Sequence, residues 1–197
     1  MDTQKSGKTP NLSAEEEHDV TKNQPPRAAV LHEIIRLQGD MELERSIAAL
    51  FWSALAAGLT MGLSLMAMGL LNSRLPDGEA FKVIASFGYC AGFLAVILSR
   101  QQLFTENTLT AVLPIMSKPT LNNFARLFRL WAVVLVGNLL GTLLVAYTML
   151  HLPIFDSQTD KAFLEIGRKV MENDSSQMFA KGIISGWMIA TMVWMIP

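Results

Sequence analysis

Two ionisable residues, Arg100 and Glu106, interrupt a stretch that is otherwise almost wholly apolar, and Gln101, Gln102, Leu103, Phe104 and Thr105 lie between them. A charged side chain at bilayer depth is expensive and persists where it finds a partner or faces a water-filled path. The alternative is an interfacial loop whose long side chains snorkel to water. At bilayer depth these residues would offer a compensated pair beside a water-filled path; at the interface they would offer only solvated charge.

Other chemistry has no residues to start from. His18, His32 and His151 fall in a polar tail, on an amphipathic stretch and at the end of an apolar one, without HExxH or another metal-binding spacing. They read as surface or interface histidines, so no metal and no cofactor is expected. Glycine-rich phosphate loops and the GxSxG elbow need strand-to-helix context, and no strand pattern is present. No catalytic residue is therefore assigned, and an enzyme is not expected. The single cysteine, Cys90, cannot close an intrachain disulfide and is expected to pack as a small hydrophobe.

The elements that would position Arg100 and Glu106 follow from how unevenly charge is spread. The chain has 197 residues, 51% hydrophobic, with 16 basic and 17 acidic side chains and a formal net charge of -1. That balance gives no surface for nucleic acid. Of the 33 charged residues, 15 lie in Met1 to Arg45. The opening stretch is too acidic for a cleavable secretory signal. Residues 1–26 are polar, end in Pro25-Pro26 and are expected to be a disordered tail. Residues 27–45 place Val30, Leu31, Ile34, Ile35, Leu37, Met41 and Leu43 at helical spacing, predicting an amphipathic helix weakened at Gly39. A solvated connector is the alternative.

Residues 46–197 read as a transmembrane domain. No charged side chain occurs between Arg45 and Arg74, enough length for a helix to cross about 30 Å of hydrocarbon. The first span is placed at 46–71, and its Gly58-xxx-Gly62 spacing offers small residues for close helix contact. Pro76-Asp77-Gly78 marks a turn. Residues 83–116 are either a full helix followed by a solvated loop or one span broken at membrane depth, and composition does not separate the two. Broken backbone inside a bilayer needs protein or a water-filled cavity to satisfy its amides.

Ser117 to Arg129 carries Lys118, Arg126 and Arg129 without an acid, the best candidate for a cytoplasmic loop. A third span is placed at 130–150, with Gly137 and Gly141 four apart, and a polar connector at 151–181 carries a short surface helix through Phe163, Ile166 and Val170. A fourth span at 181–197 stops before a normal crossing is complete, so the sequence reads as a fragment. Lysines and arginines near the spans balance, and the lysines of the tail tilt the orientation toward a cytoplasmic N-terminus.

The run Ser99-Arg100-Gln101-Gln102-Leu103-Phe104-Thr105-Glu106-Asn107-Thr108 resembles the Leu-Phe-Thr signature of the formate/nitrite transporter family. Arg129-Leu130-Trp131 and Gly137-Asn138-Leu139-Leu140-Gly141 follow, similar to that family's Gly-Asn-x-x-Gly in the third span. Gly182 to Met195 sits where the family has its fourth-span signature. The resemblance covers about Ala28 to Pro197.

It implies an all-α membrane protein, an aquaporin-like helical bundle of six spans of which four are present, assembled as a homo-oligomeric pentamer in the bacterial inner membrane. The second span would be broken, with Leu103, Phe104 and Thr105 on a loop forming the constriction. Gly58, Gly62, Gly137, Asn138 and Gly141 would pack the helices. Apart from the resemblance, Arg100 and Glu106 are expected to pair near this loop and, with Asn107, to bias selectivity. Arg100, Gln102 and Glu106 stand where typical members have a glycine, an acidic residue and a small residue, and Gly186 replaces an asparagine.

A basic vestibule residue is expected at the outer end of the fourth span, and Lys169 or Lys181 could fill it. The resemblance also implies the substrate class, small monovalent anions of weak acids such as formate or nitrite, passing as the neutral acid with a proton. Desolvation in an apolar site favours that form, and the Thr105 hydroxyl can replace a water hydrogen bond. Two rivals remain: a non-conducting scaffold plugged by Arg100 and Glu106, its tail recruiting cytosolic partners, or a channel for another small neutral solute.

Overall fold

The computed structural model describes residues 13, 27–76 and 78–196. The expected tail at 1–26 therefore lies, apart from residue 13, outside the described residues. Among them every regular element is helical: α1 (Ala28–Glu44), α2 (Ile47–Arg74), α3 (Glu79–Ser86), a 3-10 turn (Phe87–Tyr89), α4 (Cys90–Leu98), α5 (Phe104–Thr110), α6 (Val112–Ser117), α7 (Leu121–His151), α8 (Ser157–Met171) and α9 (Ser175–Met195). Four helical stretches are long and apolar enough to cross a membrane: Ile47–Arg74, Glu79–Leu98, Leu121–His151 and Ser175–Met195.

Helix ends follow local chemistry. The Ser46 hydroxyl accepts from the Ala49 amide at 3.3 Å, and Thr120 accepts from the Asn123 amide at 3.2 Å, each satisfying a donor that the first turn leaves unpaired. Thr120 starts α7 nine residues before the apolar run at Leu130, so most of the stretch expected as a loop is the charged first turns of a helix. Asp174 forms a capping box with Gln177 and starts α9 six residues ahead of the expected span. Asp156 caps α8 through the Gln158 and Thr159 amides. The Thr159 amide above all holds its carboxyl below the usual carboxylate range.

The frame is α2 against α7. These two run parallel, with Ala54 opposite Gly137, Gly58 opposite Asn138 and Gly141, and Gly62 opposite Val145. A Cβ on Gly58 would lie 2.3 Å from the Asn138 carbonyl oxygen, and one on Gly141 would lie 2.4 Å from that of Leu55. No larger residue fits where lipid offers no hydrophobic drive and only close contact holds helices together. The α3–α4 span runs antiparallel to α2, with Gly88 against Ala67 and Met68 and Gly92 against Met61 and Ser64. Ser64 ties this crossing by donating to the Tyr89 carbonyl and accepting from the Gly92 amide.

Successive crossings therefore place α1, the 118–120 turn and the end of α9 on one side, here the first side. The 75–78 turn and α8 lie on the second. Amphipathic α1 buries Ile35 and Leu43. Gly39, read in the sequence as a weakness, is where α1 meets α5 and α6, since a Cβ there would lie 2.1 Å from the Thr110 carbonyl oxygen. Arg129 on α7 fixes the other end of α1, its Nη2 donating to the Leu43 and Arg45 carbonyls at 2.8 and 3.1 Å. Large apolar side chains point outward along α7 and α9, including Leu139, Leu143, Ile183 and Trp187, faces that lipid or further protein would cover. Cys90 is exposed on this outer surface rather than packed inside.

A candidate membrane pathway at the broken second span

The sequence around Arg100 ends a helix where the membrane has not. The Arg100 amide donates to the Ile97 carbonyl and the Gln101 amide to the Val96 carbonyl, both at 3.1 Å. This is the paired closure of a helix whose next residue turns left-handed. That residue is Arg100, with φ +52°, the one non-glycine residue with positive φ among those described. An L-residue in this conformation is strained by about 1–2 kcal/mol. Gly would be relaxed there, so the arginine is held by its surroundings or by function.

The interruption spans Ser99 to Leu103, and Phe104 opens α5. Its depth can be read from its partners. The Gln102 amide donates to Ser53 Oγ at 3.1 Å. Asn138 Nδ2 donates to the carbonyls of Ala54 and Gln102 at 2.8 and 2.9 Å, and its Oδ1 accepts from the Phe104 amide at 2.8 Å. Ala54 is roughly 10 Å along α2 from Ile47, and Asn138 roughly 12 Å beyond Leu130, at 1.5 Å per residue. Both rulers put the interruption inside the apolar layer. Of the two readings of 83–116, the broken span is the one formed. The Arg100, Gln101, Gln102 and Phe104 amides are satisfied by protein, as irregular backbone at this depth requires.

A buried polar network supports Asn138. Asn107 Nδ2 donates to Gln102 Oε1 at 2.9 Å and to the Leu103 carbonyl at 3.3 Å. Trp131 Nε1 donates to the Asn107 carbonyl at 3.1 Å. Ser53, Gln102 and Trp131 thus position the site although residue type alone did not mark them for that role. Asn138, grouped in the sequence with packing residues, is the clamp of the interruption.

The expected constriction residues divide. Leu103 is the buried N-cap of α5 and packs with Ala57 and Val96. Phe104 and Thr105 lie in the first turn of α5 rather than on a loop. Phe104 stacks edge-on against Trp131, ring centroids 6.3 Å apart, whereas Thr105 is exposed. The expected Arg100–Glu106 pair is not formed, since no ion pair joins them among the described residues. Arg100 is exposed at the end of α4 and Glu106 half-buried in α5, a turn beyond the interruption. Both nevertheless line one cavity of about 190 Å³ on the first side, with Glu42 of α1, Gln101, Gln102 and Asn107.

The two vestibule candidates are not brought together. Lys169 lines a second-side cavity of about 280 Å³ with Lys82 and Lys161, and bridges Glu165 at 3.1 Å. Lys181 stands exposed on α9 and donates to Asn173 Oδ1. Among the described residues no group of three His, Cys, Asp or Glu side chains could hold a metal ion.

Four apolar crossings, the second interrupted at depth and tied by an asparagine from a neighbouring helix, define a multi-pass helical membrane protein with a discontinuous span. The chain belongs to the formate/nitrite transporter family, whose model, described as Formate/nitrite transporter, matches residues 29–197. It is 54% identical over 173 residues to Inner membrane protein YfdC of Escherichia coli (strain K12), an alignment covering 88% of this chain and 56% of that relative. The chain thus spans little more than half the length of the curated relative it matches.

Proposed function

We propose that this chain belongs to a protomer that carries small monovalent weak-acid anions, formate or nitrite among them, across the bacterial inner membrane. The observation that carries the reading is the interruption at Ser99–Leu103, fixed by Asn138. An irregular segment at this depth, flanked by a polar cavity, is what a conduit requires and what a simple anchor does not. Family membership supports transport, and the relative's name supports the inner membrane.

In this reading Lys169 or Lys181 draws the anion to the second side. Leu103 and Phe104 exclude its hydration shell, and Thr105 donates a hydrogen bond. The solute passes the apolar ring as the neutral acid, because an uncompensated anion there is prohibitively costly. The N-terminus faces the cytoplasm, and five protomers assemble through the outward apolar faces.

Reconstitution of the full-length protein in liposomes tests this. Formate or nitrite uptake that quickens as the pH of the donor solution falls is the expected result. Uptake of a neutral solute with no response to a pH gradient supports the neutral-solute rival, and no flux of any small solute supports the scaffold.

A further inference from the structure

Glu106 is the one carboxylate on the broken span beyond the interruption, and the proposed conduction of weak acids does not by itself use it. It sits half-buried in the first turn of α5. Its carboxylate makes no ion pair and accepts no hydrogen bond among those formed by the described residues. It opens on the first-side cavity of about 190 Å³. An unpaired carboxyl at membrane depth marks proton handling when a route to water exists.

The charged groups around it can be named element by element. From α1 comes Glu42, itself bridged by Arg45 at 3.1 Å. From the interruption comes Arg100, and α9 contributes the uncharged Ile196. On α7, Arg129 is committed to the Leu43 and Arg45 carbonyls. The cavity thus carries two carboxylates and one guanidinium. With Glu42 paired to Arg45, Glu106 is the carboxylate of this cavity left without an ion-pair partner, and Arg100 is the cation that an entering anion meets. A second observation points the same way. Gln101 Oε1 is buried beside this cavity with no hydrogen-bond partner. A bare acceptor is satisfied by an O–H, which a neutral acid brings and its anion lacks.

We infer that Glu106 is the group that exchanges a proton with the permeating weak acid, with Glu42 linking it to the first-side solution. Toward the second side, the O–H bond of protonated Glu106 breaks as an O–H bond forms on the solute oxygen. Glu106 is left as a carboxylate, the neutral acid hydrogen-bonds Gln101 Oε1 and leaves through the constriction, and Glu42 passes a proton from water to restore Glu106. In the opposite direction the arriving acid gives its proton to Glu106, which returns it through Glu42. The inference rests on the proposed conduction of weak acids.

The test uses full-length protein in liposomes loaded with a pH-sensitive dye, formate as solute, and the variants Glu106→Gln, Glu106→Asp and Glu42→Gln. Glu106→Gln keeps the shape and removes the proton site. Its formate-coupled proton flux is expected to fall about 100-fold, the scale of a lost general acid, and its dependence on pH to flatten. Glu106→Asp restores part of the rate, and Glu42→Gln slows it less. Infrared difference spectra of the wild type on adding formate should show a carboxyl C=O band that Glu42→Gln retains, so the assignment survives should Glu106→Gln fail to fold. Wild-type flux with an unchanged Glu106→Gln pH profile, or no such band, overturns this inference alone. No formate flux through the wild type overturns the proposed function and this inference with it.

Discussion

The α2/α7 crossing and the Ser99–Leu103 interruption are neighbours built on opposite principles. The crossing is held by the absence of side chains, with Gly58 and Gly141 letting two backbones meet. The interruption is held by the presence of one, since Asn138 makes two hydrogen bonds to the broken backbone, at Gln102 and Phe104, and a third to the Ala54 carbonyl of α2. Both depend on one turn of α7. Close approach at Gly137 and Gly141 brings Asn138 within reach of Ala54 and Gln102. Small residues in a membrane helix can therefore serve to deliver a polar group at depth as well as to pack.

Removing the clamp is expected to have the largest effect. Asn138→Ala leaves the Phe104 amide and the Gln102 carbonyl without this partner, at about 1–3 kcal/mol for each group left unsatisfied. Purified protein should lose thermal stability in detergent, and proteolysis should open first near Gln102. A variant as resistant as the wild type would show that the interruption holds itself. Gly141→Val attacks the other half. Its side chain meets the Leu55 carbonyl and the Gly58 Cα, and the expected loss is about 1–3 kcal/mol, read from the midpoint of thermal unfolding. If Gly141→Val also frees the 99–103 segment to proteases, the two regions are one unit.

Arg100→Gly sharpens the comparison with the smallest shift. Relief of the left-handed strain outweighs the extra freedom glycine gives the unfolded chain, for a net gain of about 0.5 kcal/mol. A loss of stability would show that the guanidinium holds the interruption through charge.

Much of the architecture was legible. The apolar runs around Ile47–Leu71, Val83–Leu98 and Leu130–Leu150 stand out because lipid demands them, and α1 shows in its periodicity. The starts of α7 and α9 were set too late because charged first turns were counted as loop, although Thr120 and Asp174 are ordinary cap residues. Cys90 was misplaced because an apolar neighbourhood does not say whether protein or lipid surrounds it. Arg100 and Glu106 were visible as the charges of interest. Their lack of mutual pairing follows from a left-handed turn and a half-buried helix start that spacing does not reveal.

What the residues settle alone is which stretches enter the bilayer, since the cost of an unpaired charge or amide in hydrocarbon is local and large. What only the folded chain decides is where the second crossing breaks and what faces the gap. Ser53, Ala54 and Asn138 lie far along the chain from Gln102 and Phe104, and hydrogen bonds between them exist only once α2 and α7 have closed on each other.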